Sequence, residues 1–222
     1  MARIAAHFAS RAASRFSRHA RAAFVSLMAL LAVSGALALQ GCGQQPPSFS
    51  NLDITGNTQF GKDFALPDTN GKTRTLADFK DKVVVLFFGY THCPDVCPTT
   101  MAELSQALEQ IGPENAKRVQ VLFVTVDPDR DSAQILSQYV AAFNPSFLAL
   151  RPANEAQLKQ VTKDFRVYYA KVPGTSPDNY TMDHTAASYV FDPSGKLRLF
   201  ARDGQGVTPW VHDLKILLGV NS

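Results

Sequence analysis

Cysteine is scarce in this chain: it occurs three times in 222 residues, at positions 42, 93 and 97. Three cysteines cannot build the framework of a disulfide-stapled domain, and none is needed, because a chain of this length with 45% hydrophobic residues can bury a core of its own. Acidic residues are missing altogether from positions 1–42, where five arginines (Arg3, Arg11, Arg15, Arg18 and Arg21) stand unopposed. Those five account for the basic balance of the whole. Of 22 Lys and Arg, 17 remain beyond residue 42 against 19 Asp and Glu. The remainder is near neutral and lacks the basic footprint of a nucleic-acid binder, so nucleic acid is not an expected partner. A second short-spaced Cys or His pair is also absent, which disfavours a four-ligand structural zinc site.

What the first 42 residues contain is a leader. An arginine-rich start gives way to an uncharged run from Ala22 to Leu39 and then to Leu39-Gln40-Gly41-Cys42, the layout of a secretory signal. A Leu three residues before a Cys, with a small residue directly before it, is similar to a bacterial lipobox. Cys42 is therefore the expected site of lipid attachment and cleavage. The run is also long enough for an uncleaved membrane span, and the acid-free start also suits an organelle-targeting peptide. The lipoprotein reading places the remainder in the bacterial cell envelope, anchored on the periplasmic side of the inner membrane. Gly43 to Ser50 is polar and proline-containing, and 43–57 is expected to be a linker ahead of one domain at 58–222.

From Asp63 onward, short apolar strands alternate with helical periods, which predicts an α/β sheet. Val83 to Gly89 is a continuous apolar run, suited to a strand buried on both faces. Met101, Leu104, Leu108 and Ile111 form the stripe of an amphipathic helix from Pro98, ended by Gly112-Pro113. Val119 to Val126 reads as a second buried strand, with helices expected from about Ser132 to Phe143 and from Asn154, as cap, to Phe165. Thr185 to Asp192 and Lys196 to Ala201 flank a Pro-Ser-Gly turn, and Thr208-Pro209 opens a last helix carrying Val211, Leu214, Leu217 and Leu218. This order is compatible with a thioredoxin-like core: a central mixed sheet flanked by helices.

Chemistry concentrates in Gly89-Tyr90-Thr91-His92-Cys93-Pro94-Asp95-Val96-Cys97-Pro98, where a strand turns into a helix. Unpaired N–H groups at a helix N-terminus favour a thiolate, so one cysteine should have a lowered pKa. Two thiolates side by side form a soft ligand pair for Cu(I) or Zn(II). A small structural disulfide is the plainer reading, but it needs neither the helix start nor the proline frame. His92 is adjacent to a ligand and is expected beside the site or as a transient ligand. Met101 falls on the helix core stripe, and Met182 is expected to pack in a loop.

Three blocks in order, the cysteine motif, Val126-Asp127-Pro128-Asp129-Arg130-Asp131 and Tyr180-Thr181-Met182-Asp183-His184-Thr185, resemble the Sco/SenC family over residues 58 to 220. That family handles copper in cytochrome c oxidase assembly. The resemblance implies a thioredoxin-like fold and a Cu(I) site made by Cys93, Cys97 and His184, the histidine arriving from a distant loop; Cu(II) is a further expectation. It also implies a metallochaperone rather than an enzyme, with the CuA site of cytochrome c oxidase subunit II as recipient. A thioredoxin-like periplasmic reductant and another copper chaperone are its expected partners. A neutral imidazole beside two thiolates suits the low coordination number of Cu(I). Asp127, following a strand, and Asp183, next to His184, are candidates for the shell behind the ligands, although a turn or capping role for Asp127 is as good a reading.

Two other functions use the same cysteines. A thiol-disulfide reductase of thioredoxin type would use Cys-x-x-Cys, whereas Cys93 and Cys97 have one more residue between them, and no proline lies between Pro177 and Pro193 to face the pair. A redox or copper sensor without transfer remains open on sequence alone.

Overall fold

The strand bearing the cysteine motif owes its place to its own composition. A run of Val, Leu and Phe with no polar residue can be dissolved only between covered faces, and β-branched and aromatic side chains fit a pleated surface. In the computed structural model, which describes residues 48–176 and 179–220, Val83–Gly89 is the strand β4 and is buried along its whole length. The leader, Cys42 and residues 43–47 lie outside the described residues. Among the described residues no helix is long and apolar enough to cross a membrane.

Three short strands precede β4: β1 (Leu52–Asp53), β2 (Leu66–Pro67) and β3 (Thr73–Arg74). After it come helix α1 (Val96–Ile111), β5 (Val119–Thr125), α2 (Ala133–Phe143), β6 (Leu148–Leu150) and α3 (Glu155–Phe165). The chain then forms β7 (Tyr169–Ser176), β8 (Asn179–His184), β9 (Ala187–Phe191), β10 (Leu197–Arg202) and α4 (Val207–Leu218). The main sheet has the order β1-β10-β9-β4-β5-β6, parallel from β4 to β6 and antiparallel on the other side, so it is mixed, as expected. β2 pairs with β3, and β7 with β8, in two separate two-stranded sheets.

The helices follow the signals in the sequence. Met101, Leu104, Leu108 and Ile111 are buried along α1, and Gly112 ends it with φ 84°, a conformation that a side chain would strain. Ser132 and Asn154 cap α2 and α3, accepting from the N–H groups of Ile135 and Gln157. The side chain of Asp192 accepts from the N–H groups of Ser194 and Lys196 and so closes the turn between β9 and β10, where Gly195 takes φ 77°. Phe87 and Phe88 point to opposite faces of β4: Phe87 stacks with Phe123, and Phe88 with Phe165 and Tyr189.

Two features depart from expectation. Residues 48–57, expected as linker, are bound to the domain. The buried carboxylate of Asp213 accepts from the N–H of Ser50 and from both the backbone and side chain of Asn51, and β1 adds an edge strand to β10. Tyr180 to His184, expected as a loop, form β8, with Tyr180 and Met182 buried and Asn179, Thr181 and Asp183 exposed. Alternation at period two is a strand signal. It is short here and carries polar residues, which hides it.

Candidate metal centre

Cys93 lies between β4 and α1, and Cys97 lies in the first turn of α1. A helix start leaves four N–H groups without intrahelical partners, and a side chain at the cap position ordinarily takes one of them. Asp95 stands at that position but its side chain makes no capping bond. Cys93 Sγ does this instead, accepting from the N–H of Cys97 at 3.4 Å. Pro98 has no N–H to satisfy, which suits the first turn.

The two thiols are free and differ in their surroundings: Cys93 is half-buried, Cys97 fully buried. The Cys97 thiol donates to Cys93 and lowers its pKa to about 3; His184 and the N–H groups of Asp95 and Cys97 act the same way, against the effect of burial. That same donation to Cys93, together with burial and the negative charge of Cys93, pushes Cys97 upward. One proton is shared by the pair, and Cys93 is the sulfur that carries the charge.

His184, the last residue of β8, brings its Nε2 to 3.7 Å from Cys97 Sγ. Its Nδ1 lies 3.0 Å from the carbonyl oxygen of Thr185. Since a carbonyl only accepts, Nδ1 carries a hydrogen, and Nε2 is the ring nitrogen that faces the sulfurs. Tyr90 and Phe87 hold the ring edge-on, with centroids at 5.9 and 6.4 Å. The two Sγ atoms and a ring nitrogen all lie within 4.8 Å of one another. Two soft sulfurs and one imidazole nitrogen are a donor set for Cu(I), which accepts low coordination numbers.

The remaining candidates are distributed around this group. Exposed His92 has Nδ1 3.2 Å from Thr91 Oγ1 and 3.8 Å from Asp131; among the described residues, the hydrogen bonds to the sulfurs come from Cys97 and His184. Asp183 is exposed, and the group beside His184 Nδ1 is the backbone of Thr185 rather than a carboxylate. Asp127 is buried in an ion pair with Arg130 and accepts from the hydroxyl of Tyr180. Met182 packs inward from β8.

Three residues not singled out from the sequence shape the site. Asp131, buried, takes hydrogen bonds from the backbone and hydroxyl of Thr91 and from the hydroxyl of Thr125, and so anchors the turn ahead of Cys93. Gly89 is required by packing: a Cβ there would stand 2.9 Å from Cys97 Sγ and 2.8 Å from the ring of Phe87. A glycine inside a strand pattern was the available signal. Asp203, in the turn after β10, is held up to about 7 by burial, with His184 pulling down and Glu103 pushing up.

Comparison with known proteins agrees with this geometry. The family model described as SCO1/SenC matches residues 53–219. A mitochondrial SCO2 homolog of Bos taurus is 42% identical over 134 residues, which are 60% of this chain and 50% of that protein. A SCO2-like protein of Rickettsia felis is 38% identical over 143 residues, 63% of this chain and 68% of that one. The chain thus aligns with only about half the length of the bovine relative. Among solved structures, Bradyrhizobium japonicum ScoI with copper bound superposes with a TM-score of 0.63 at 38% identity, covering 72% of this chain and 99% of that one. With the family model matching three quarters of its length, and the thiol pair and histidine brought together on a mixed α/β fold, the chain belongs to the SCO1/SenC family.

Proposed function

We propose that this protein is a copper carrier that binds Cu(I) through Cys93, Cys97 and His184 and delivers it to the CuA site of cytochrome c oxidase subunit II during oxidase assembly. The observation that carries the reading is the group of two Sγ atoms and one imidazole nitrogen within 4.8 Å of one another, with Nε2 turned toward the sulfurs. The copper-bound ScoI structure supports it through the chain's similarity to that protein. Copper is the cargo here. Binding releases the proton that the thiol pair shares, and exchange onto the recipient's ligands needs a site reachable at one side, which half-exposed Cys93 offers. Tethering by Cys42 on the periplasmic side would place the domain where an oxidase subunit is exposed.

The test is competition for Cu(I) by the reduced full-length chain in detergent, followed by transfer to the soluble domain of subunit II. Tight binding with no transfer, together with normal CuA occupancy in a deletion strain at low copper, refutes delivery.

A second reading has its own observation, the charged Cys93 beside buried, protonated Cys97. Cys93 thiolate attacks a partner disulfide, releasing one partner thiolate. Cys97 then attacks the mixed disulfide, its proton goes to the second partner sulfur, and a Cys93–Cys97 disulfide remains. A periplasmic dithiol reductant would reset it. His184→Ala separates the two functions, since imidazole is a ligand for copper and is not consumed in thiol exchange.

A further inference from the structure

The element that carries the histidine is the least supported one around the site. β7 and β8 share no ladder with the six-stranded sheet, and β7 is exposed over most of its length. Along β8, Tyr180, Met182 and His184 share the inward face. At ~3.3 Å per residue, Tyr180 and His184 stand roughly 13 Å apart on one strand. Fixing the strand at Tyr180 therefore fixes the face presented at His184, and a slip of one residue would turn the imidazole away from the sulfurs.

Tyr180 is held by a clamp. Arg130 Nε donates to Asp127 Oδ2 at 2.5 Å, and Arg130 Nη1 donates to the backbone oxygen of Tyr180 at 2.9 Å. The guanidinium lies 3.5 Å from the centroid of the Tyr180 ring, whose hydroxyl donates to Asp127 Oδ1 at 2.8 Å. Lys171 Nζ sits 4.2 Å from the same centroid. Asp127 is 2% exposed and the Arg130 side chain 17%, so the ion pair is largely withdrawn from water and each charge depends on the other. Asp127 and Arg130 belong to the segment after β5, which is part of the main sheet, while Tyr180 belongs to the separate hairpin. The clamp thus joins the hairpin to the body that carries both cysteines. Among the described residues, none of the three hydrogen-bonds Cys93, Cys97 or the ring of His184.

We infer that Asp127, Arg130 and Tyr180 are positioning residues for His184, holding β8 in the register at which Nε2 meets the thiol pair. The metal arm of the following test rests on the copper-binding reading; the spectroscopic arm does not.

Cu(I) alone is titrated against a chelator into the reduced full-length chain in detergent, for wild type, Arg130→Gln, Tyr180→Phe and each of these combined with His184→Ala. Arg130→Gln is expected to weaken Cu(I) binding by about 10- to 100-fold, the range for losing a group that orients a ligand, and Tyr180→Phe by less. Neither should weaken it further once His184 is gone. An equal loss in both backgrounds makes the clamp merely structural and overturns the inference, as does no loss in the wild-type background. Histidine-selective 15N spectra of the metal-free chain give the second readout. One sharp set of His184 ring signals in wild type should become broadened or multiple in the variants; an unchanged set overturns the inference. Should Arg130→Gln leave Asp127 uncompensated and fail to fold, Tyr180→Phe keeps the ring and removes one hydrogen bond. Undiminished Cu(I) binding by His184→Ala would refute the ligand role of the histidine, and the metal-free spectra would still decide the clamp.

Discussion

The sulfurs and the nitrogen of the site come from parts of the molecule built in different ways. Cys93 and Cys97 follow β4, a strand buried on both faces and paired on both edges, and the second lies inside a sixteen-residue helix. His184 ends a hairpin that forms its own sheet and reaches the core through Tyr180, Met182 and the imidazole itself. Burial of a continuous apolar run fixes the first part, at roughly 25 cal/mol for each Å² removed from water. A few polar contacts fix the second. On the proposed carrier function, this division pairs two ligands set on the main sheet and helix with one set on the separate hairpin.

The sharpest way to break that comparison is to remove one ligand from each part. Cys93→Ser and Cys97→Ser should each abolish tight Cu(I) binding, because a lone thiolate beside an imidazole no longer makes the soft pair. His184→Ala should cost less, about tenfold or more, or ~1.4 kcal/mol at the lower end. It should also leave Cys93 and Cys97 able to oxidise and be reduced. Competition titrations with a Cu(I) chelator and thiol counts after oxidation measure both. Equal losses for all three variants would show that the hairpin is as firm a part of the site as the helix.

Next in size is a change beneath the fixed half. Gly89→Ala places a methyl 2.9 Å from Cys97 Sγ and 2.8 Å from Phe87, inside a strand that cannot move aside. Overpacking of this kind costs about 1–3 kcal/mol. Thermal unfolding of the apo chain should show the loss, together with weaker Cu(I) binding. Unchanged stability would mean that the sulfur, not the strand, gives way.

A smaller effect distinguishes the two cysteines from each other. Cys93 is held as thiolate down to about 3 by the Cys97 thiol, His184 and the N–H groups at the helix start, so it stays reactive as pH falls through the range where an ordinary thiol near 9 is protonated. Iodoacetamide at pH 6 should label Cys93 and spare buried Cys97, as read by mass spectrometry of the reduced apo chain. His184→Ala should raise the pH at which that labelling fades, because the imidazole helps to hold the charge. Labelling of both cysteines at similar rates would contradict the shared-proton arrangement.

The same division explains what could be read in the sequence. Val83 to Gly89, the stripe from Met101 to Ile111, and the caps Ser132 and Asn154 are local patterns, and local patterns fixed the sheet centre, the helices and the position of both cysteines. The neighbourhood of His184 is non-local. Its strand alternates over too few residues to stand out, Asp127 proves to be committed to Arg130 and Tyr180, and Asp131, three residues on from the Pro in the same block, holds the turn ahead of Cys93. Pairing of β1 with β10 and the bonds from Asp213 to Ser50 and Asn51 join residues more than 140 positions apart, which no local pattern announces. The family resemblance, not the spacing, supplied His184.

The smallest expected effect lies where the two parts meet. Asp203 sits after β10 with Thr100 and Glu103 facing it from α1, Ser188 from β9 and His184 from β8. Both of its carboxylate oxygens, Thr100 Oγ1, Ser188 Oγ and Glu103 Oε2 are buried without a hydrogen-bond partner among the described residues. Burial holds the Asp203 carboxyl up to about 7, against 3.8 for an ordinary aspartate, with Glu103 adding to the rise and His184 opposing it. The folded chain therefore binds this proton more tightly than the unfolded one. Its contribution to stability is fully present below about 3.8 and is lost as pH rises through about 7. Asp203→Asn removes the ionisation, so its unfolding temperature should match or trail wild type near pH 4 and exceed it above pH 7. For a domain of this size the gain is about 2–4 °C for each kcal/mol of charge burial relieved. Copper affinity at neutral pH should change far less than in His184→Ala, since Asp203 is no ligand. A temperature difference that stays constant from pH 4 to pH 8 would mean that the carboxyl ionises alike in the folded and unfolded chain, and that the junction between the fixed half and the hairpin is open to water.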